Sequence, residues 1–185
     1  EIYCEEIDVG EETPRSVMSG LRKHFTEEQL LHRKVVVITN LKPRRVGSFV
    51  SAGMVICASN EDGSVVELVE PPAEAKVGEV IQFEGLPPVE PDEEVNPNRK
   101  TSPWGKCAGG MHVTEEGVAA FQENAFMTSA GKCTVKSLKN VNLSSSVCYK
   151  QERVQLEEEV RVVREGRGRG VVCCGVCCII CCIVC

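Results

Sequence analysis

Aromatic side chains are scarce in this sequence, at 4% of its 185 residues. A core built from such a chain rests on Val, Ile and Leu. Proteins that grip unstructured single-stranded nucleic acid stack bases on aromatic platforms, and only Phe49 lies among basic residues to offer one. Acids are missing from a whole window: the 32 residues from Gln29 to Asn60 contain no Asp or Glu. A run able to span a bilayer is also lacking, because the most apolar stretch, Val171–Cys185, holds 15 residues where about 20 are needed. Glu1–Glu12 is acidic and without an apolar run, so no secretory leader is expected. No nucleotide-binding loop is present, and Lys100-Thr101-Ser102 does not amount to one. No nucleophile and base stand out as a pair. The chain therefore reads as a non-catalytic protein with no cofactor and no metal.

What is present is short β-like runs cut by glycine and proline, 25 residues together (16 Gly and 9 Pro). Ile2–Val9, Ser16–Leu21, Lys34–Thr39, Gly53–Ala58, Val65–Val69 and Glu79–Phe83 read as strands. Thr26 with Gln29 three residues on is a capping-box pattern, so a short helix is expected at 26–31. Such a series suggests a small barrel or sandwich. A turn-rich connector, Pro87–Pro103, follows, then two further β-like runs, Gly117–Phe121 and Lys132–Leu138. The organisation expected is 1–106, 107–143, and a tail over 144–185.

Twelve cysteines divide unevenly. Cys4, Cys57, Cys107, Cys133 and Cys148 are scattered singly and read as reduced thiols, with Cys57 and Cys133 in the core. Seven crowd into the last 13 residues, after a charged stretch and Gly-Arg-Gly-Arg-Gly. Three Cys-x-x-Cys pairs there (Cys174/Cys177, Cys178/Cys181, Cys182/Cys185) have thiolate-site spacing, but Val and Ile fill the gaps where a metal loop would want Gly or polar residues. The tail reads first as a disordered or artefactual low-complexity stretch. An acylated membrane anchor and a soft-metal site are its other readings.

Net charge is −6, which argues at first sight against a polyanionic partner. Local charge argues the other way. The acid-free window carries Arg33, Lys34, Lys42, Arg44 and Arg45, and a second acid-free stretch, Asn124–Gln151, carries Lys132, Lys136, Lys139 and Lys150. Such segregation suits a polyanion-binding face on an otherwise acidic protein. Pro43 places Lys42-Pro43-Arg44-Arg45 in a loop, with Asn40, Ser48 and Ser51 as nearby donors. The contrary reading is a set of basic residues that keep a buried strand soluble.

Four ordered motifs then identify a resemblance: Asp8-Val9-Gly10-Glu11, Pro14–Leu21 (PRSVMSGL), Asn40-Leu41-Lys42-Pro43 and Ser51-Ala52-Gly53-Met54. Together they resemble the tRNA-binding domain family, found at the C-terminus of methionyl- and some tyrosyl-tRNA synthetases and in their associated cofactor. Pro71-Pro72, Val77-Gly78-Glu79, Asn96–Lys100 and FMTSAGKCTVKSL (126–138) extend it to about 1–143. The resemblance implies an all-β protein with a small inserted helix: an OB-fold Greek-key barrel at 1–106, with the accessory β module of the eukaryotic branch at 107–143. It implies a cytoplasmic monomer that binds tRNA by shape and charge and serves an aminoacyl-tRNA synthetase or multi-synthetase complex. Expected tRNA contacts are Lys42, Arg44, Arg45 and Ser51, followed by Arg33, Lys34 and Asn40. The sequence departs from the family in two places. The barrel's first strand is missing ahead of Ile2-Tyr3, which leaves edges unpaired, and Ala52 stands where many relatives carry a polar residue. The alternative function is a protein-interaction, scaffold or cytokine-like module of a multi-synthetase complex.

Overall fold

The computed structural model describes residues 2–88, 90–98, 102–145, 162–163 and 182–184. Its first unit is an antiparallel pair, β1 (Tyr3–Ile7) and β2 (Arg15–Ser19), in register from Tyr3↔Ser19 to Ile7↔Arg15. A 3-10 turn (Leu21–Lys23) and a one-turn helix α1 (Glu27–Leu30) follow. The Gln29 side chain accepts a hydrogen bond from the Thr26 amide at 2.8 Å, as the capping-box pattern requires.

Next come β3 (Val36–Ile38), β4 (Arg44–Val46), β5 (Phe49–Ser51), β6 (Met54–Ser59), β7 (Val66–Leu68) and β8 (Gln82–Phe83). β6 is the hub of its sheet. Its first half pairs with β3, and its second half with β7 and with β13 (Leu143–Ser145). Val36, Val37 and Ile38 are all fully buried, as a continuous apolar run should be in a covered strand.

The remaining elements are α2 (Pro103–Ala108), β9 (Met111–Val113), β10 (Ala119–Phe121), β11 (Asn124–Thr128) and β12 (Gly131–Lys132). They make the meander β12-β11-β10-β9, to which β8 adds by pairing Phe83 with Phe126. Phe83 meets Phe126 and Phe121 edge-on, with ring centroids 5.2 and 5.7 Å apart. The apolar core runs continuously from Tyr3 through Ile38, Ile56 and Phe83 to Phe126, Val135 and Leu143. Two short strands lie further along the chain. β14 (Val162–Val163) runs parallel to β1, and β15 (Cys182–Val184) lies antiparallel to β3, each on the edge opposite that strand's partner in the barrel.

The strand at Lys132–Leu138 takes a different form from the one expected. Only Gly131–Lys132 is ladder; beyond it the chain bonds in turn to Phe126, Glu70 and Gly117. This extended segment stitches several partners and belongs to no single pair. Cys4, Cys57, Cys107 and Cys133 are buried thiols outside any disulfide. Cys148 and the tail's Cys-x-x-Cys pairs lie outside the described residues, apart from the backbone of Cys182 in β15. Among the described residues no helix is long and apolar enough to cross a membrane.

Candidate nucleic-acid interface

Within the acid-free window, residues 44–51 fold into a two-stranded hairpin. Among the described residues β4 and β5 pair only with each other, with Arg44 opposite Ser51, Arg45 opposite Val50 and Val46 opposite Phe49. Gly47 and Ser48 form the two-residue turn, and Gly47 has φ +60°. Glycine at the first central position of so tight a hairpin matches the strand twist, where a side chain would strain the backbone. Period-two alternation puts Arg45 and Val50 on the outer face, and both are exposed.

Lys42 and Arg44 are exposed as well, so the hairpin and its approach present three cations to solvent. Lys42 reaches Glu94 at 3.2 Å. An ion pair this exposed contributes only about 0–1 kcal/mol, so a phosphate can displace the carboxylate.

The other expected contacts are turned to internal use. Arg33 forms an ion pair with Glu70 and lies 5.8 Å from the centre of the Phe25 ring. Lys34 donates to the carbonyls of Ala73 and Ala75. Asn40 is buried and donates to the Asp92 carbonyl at 2.9 Å. Ser51 accepts from the Met18 amide at 3.0 Å and donates to the Gly53 carbonyl at 3.2 Å. The structure therefore separates Lys42, Arg44 and Arg45, whose side chains are exposed, from Arg33, Lys34, Asn40 and Ser51, which bond to other parts of the chain. The separation could not be read from composition, since all seven are polar residues of one window.

Sequence reasoning passed over the hairpin itself. Its signal was present: Val46-Gly47-Ser48-Phe49 is a Gly-Ser turn between apolar residues. It also passed over Glu67 and Glu79, which tie the later meander to the barrel. Glu67 accepts from the Ser137 amide and hydroxyl and from the Leu138 amide. Glu79 accepts from the Ser129 amide and hydroxyl. Burial alone would raise both carboxyl pKa values, but these hydrogen bonds outweigh it and hold them below the ordinary value.

The family profile described as "Putative tRNA binding domain" matches residues 1–80. The crystal structure of the C-terminal domain of Plasmodium vivax p43 superposes with a TM-score of 0.71 at 34% identity, covering 77% of this chain and 85% of that one. The chain belongs to the tRNA-binding domain family. It is 48% identical over 137 residues to the probable methionine–tRNA ligase of Oryza sativa subsp. japonica, covering 74% of this chain and 17% of that one. Against the cytoplasmic tyrosine–tRNA ligase of Gallus gallus the identity is 40% over 144 residues, covering 77% and 27%. Mouse (Mus musculus) aminoacyl tRNA synthase complex-interacting multifunctional protein 1 is 38% identical over 140 residues, covering 75% and 44%. The chain thus spans about a sixth to under half of these curated relatives' lengths. As a member of the tRNA-binding domain family it carries the family's ordered motifs on the elements just described: Pro14–Leu21 opens and follows β2, and Ser51–Met54 joins β5 to β6.

Proposed function

We propose that this chain is a non-catalytic tRNA-binding module that retains or delivers tRNA for an aminoacyl-tRNA synthetase, in cis or in trans, in the cytoplasm. The observation that carries this reading is the hairpin and its approach, whose exposed cations Lys42, Arg44 and Arg45 stand in a segment without acids. Phosphate neutralisation by Lys and Arg releases counterions, so affinity falls with salt. Such contacts fix position and carry no base code, so the module binds many tRNAs. With Phe49 half-buried and Ser51 internally bonded, little on this face can stack or read bases, which favours a folded RNA recognised by shape.

Lys42, Arg44 and Arg45 replaced together by Ala test the assignment. Unfractionated tRNA, titrated at several salt concentrations, should bind more weakly, with a salt slope shallower by about one unit per lost phosphate contact. An unchanged slope in a folded triple variant removes these residues from the interface. The scaffold reading predicts a different result, in which a synthetase co-purifies with the chain and survives RNase treatment.

A further inference from the structure

One arginine outside the basic window holds both ends of the segment that carries the hairpin. Arg15 begins β2. Its Nη1 donates to the Thr39 carbonyl and, at 3.0 Å, to the Ala52 carbonyl. Thr39 lies just before the Asn40–Pro43 approach to β4, and Ala52 just after β5. The same guanidinium is gripped from its other edge by Glu11, through Nε at 2.9 Å and Nη2 at 2.5 Å. Four of its five N–H groups are thus committed, in the planar fork geometry that only arginine supplies.

Neighbouring contacts close the same joint. The Ala52 amide donates to the Ser16 carbonyl at 2.8 Å, and the Ser51 hydroxyl meets the Met18 amide. Gly53 lets the chain pass tightly here, since a Cβ would lie 3.1 Å from both Val17 and Val37 side chains. On the entry side, the Val95 amide donates to the Asn40 carbonyl and the Lys42 amide to the Val95 carbonyl.

We propose that Arg15 is a positioning residue for tRNA binding: it clamps the carbonyls of Thr39 and Ala52 and so fixes the direction in which Lys42, Arg44 and Arg45 project. The inference rests on the reading of the hairpin as the tRNA-binding face. Arg15 does not meet RNA itself, because four of its five donors are spent and its side chain is three-quarters covered. Its charge is matched locally by Glu11, whose carboxyl is held below the usual range first by the hydrogen bonds from Arg15.

The test is R15K, alone and combined with K42A/R44A/R45A, in the full chain. Lysine keeps the charge and loses the fork. R15K alone should weaken tRNA binding about five- to tenfold, the scale of one lost charge-assisted hydrogen bond. The salt slope should stay as in the parent, and amide exchange should quicken across 44–51 while β6 stays protected. In the triple background R15K should change tRNA affinity no further, because nothing is left to position. An equal weakening in both backgrounds overturns the proposal in favour of general destabilisation or a direct contact, and unchanged exchange at 44–51 overturns it independently. If R15K does not fold, E11Q loosens the grip on the guanidinium and should shift both readouts the same way to a smaller extent. E11Q without any shift counts against the clamp. A triple variant that binds as tightly as the parent would instead refute the hairpin as the binding face, and the exchange at 44–51 would still decide whether Arg15 holds it.

Discussion

Phe126 ties β8 to the later meander through the core. It is fully buried, stands opposite Phe83 in the β8–β11 pair, and meets that ring edge-on. Replacing it by Ala removes a large apolar side chain from a site walled by strands on both sides, where little collapse is possible. Such truncations cost about 3–5 kcal/mol, of which about 1 kcal/mol belongs to the edge-to-face pair. For a chain of this length the cost corresponds to a fall in Tm of about 10 °C. The assay is urea unfolding followed in parallel by far-UV circular dichroism and by fluorescence of Trp104, the single tryptophan. Trp104 sits on α2 and packs against the continuous core. One core implies one transition, so both signals should shift together to lower denaturant in F126A. F126L, which keeps much of the volume, should shift them less. A fluorescence transition that moves while the dichroism transition stays would refute the reasoning, because the meander would then unfold as a separate unit.

Glu5 and the pair Glu67 and Glu79 impose opposite pH dependences on stability. Glu5 faces the core beside Tyr3 and Ile7, and burial pushes its pKa up from 4.5 to about 7, partly offset by the hydrogen bond from Ser19. Its folded state therefore holds a proton that the unfolded state has released, so stability is present below about pH 4.5 and lost as pH rises through about 7. E5Q should flatten that decline in urea-derived stability between pH 5 and 8, and an unaltered profile would remove Glu5 as its source. Glu67 and Glu79 are held below the ordinary value, so their contribution is present at neutral pH and lost as pH falls through their folded pKa. E67A should lower stability at pH 7 by about 1–2 kcal/mol, discounted for its partial exposure, and by little at pH 3. An equal loss at both pH values would mean that the carboxylate charge is not what matters.

The legibility of the sequence differed from element to element, for physical reasons. Runs whose side chains are buried on one or both faces, such as Lys34–Thr39 and Gly53–Ala58, announced β3 and β6 within two residues of their bounds. The helix at Glu27–Leu30 was visible through Thr26 and Gln29 because capping is a local interaction. β4 was not visible, since two of its three residues are arginines and its pairing is decided by a two-residue turn. Lys132–Leu138 resembled a strand but bonds successively to segments far away in sequence, which no local pattern encodes. In the candidate site the sign and clustering of charge were legible. The commitment of Ser51, Asn40 and Lys34 to backbone partners was not, because a hydroxyl or amine in a sequence does not reveal what it will meet.

The turn after β1 brings Gly10 against Gly78, where a Cβ on Gly10 would lie 2.7 Å from the Gly78 Cα, and both residues have positive φ. One glycine belongs to the Asp8–Glu11 motif and the other to Val77-Gly78-Glu79, segments otherwise unconnected along the chain. In evolutionary terms the two positions are constrained for different reasons. Gly10 cannot acquire a side chain while the Gly78 backbone stays in place, and shrinking its neighbour cannot rescue it, because that neighbour is already glycine; Gly78 has room for a Cβ and is held to glycine by its left-handed backbone instead. Drift is thus restricted at one site by a close approach and at the other by backbone conformation, with no need for any ligand to enforce either.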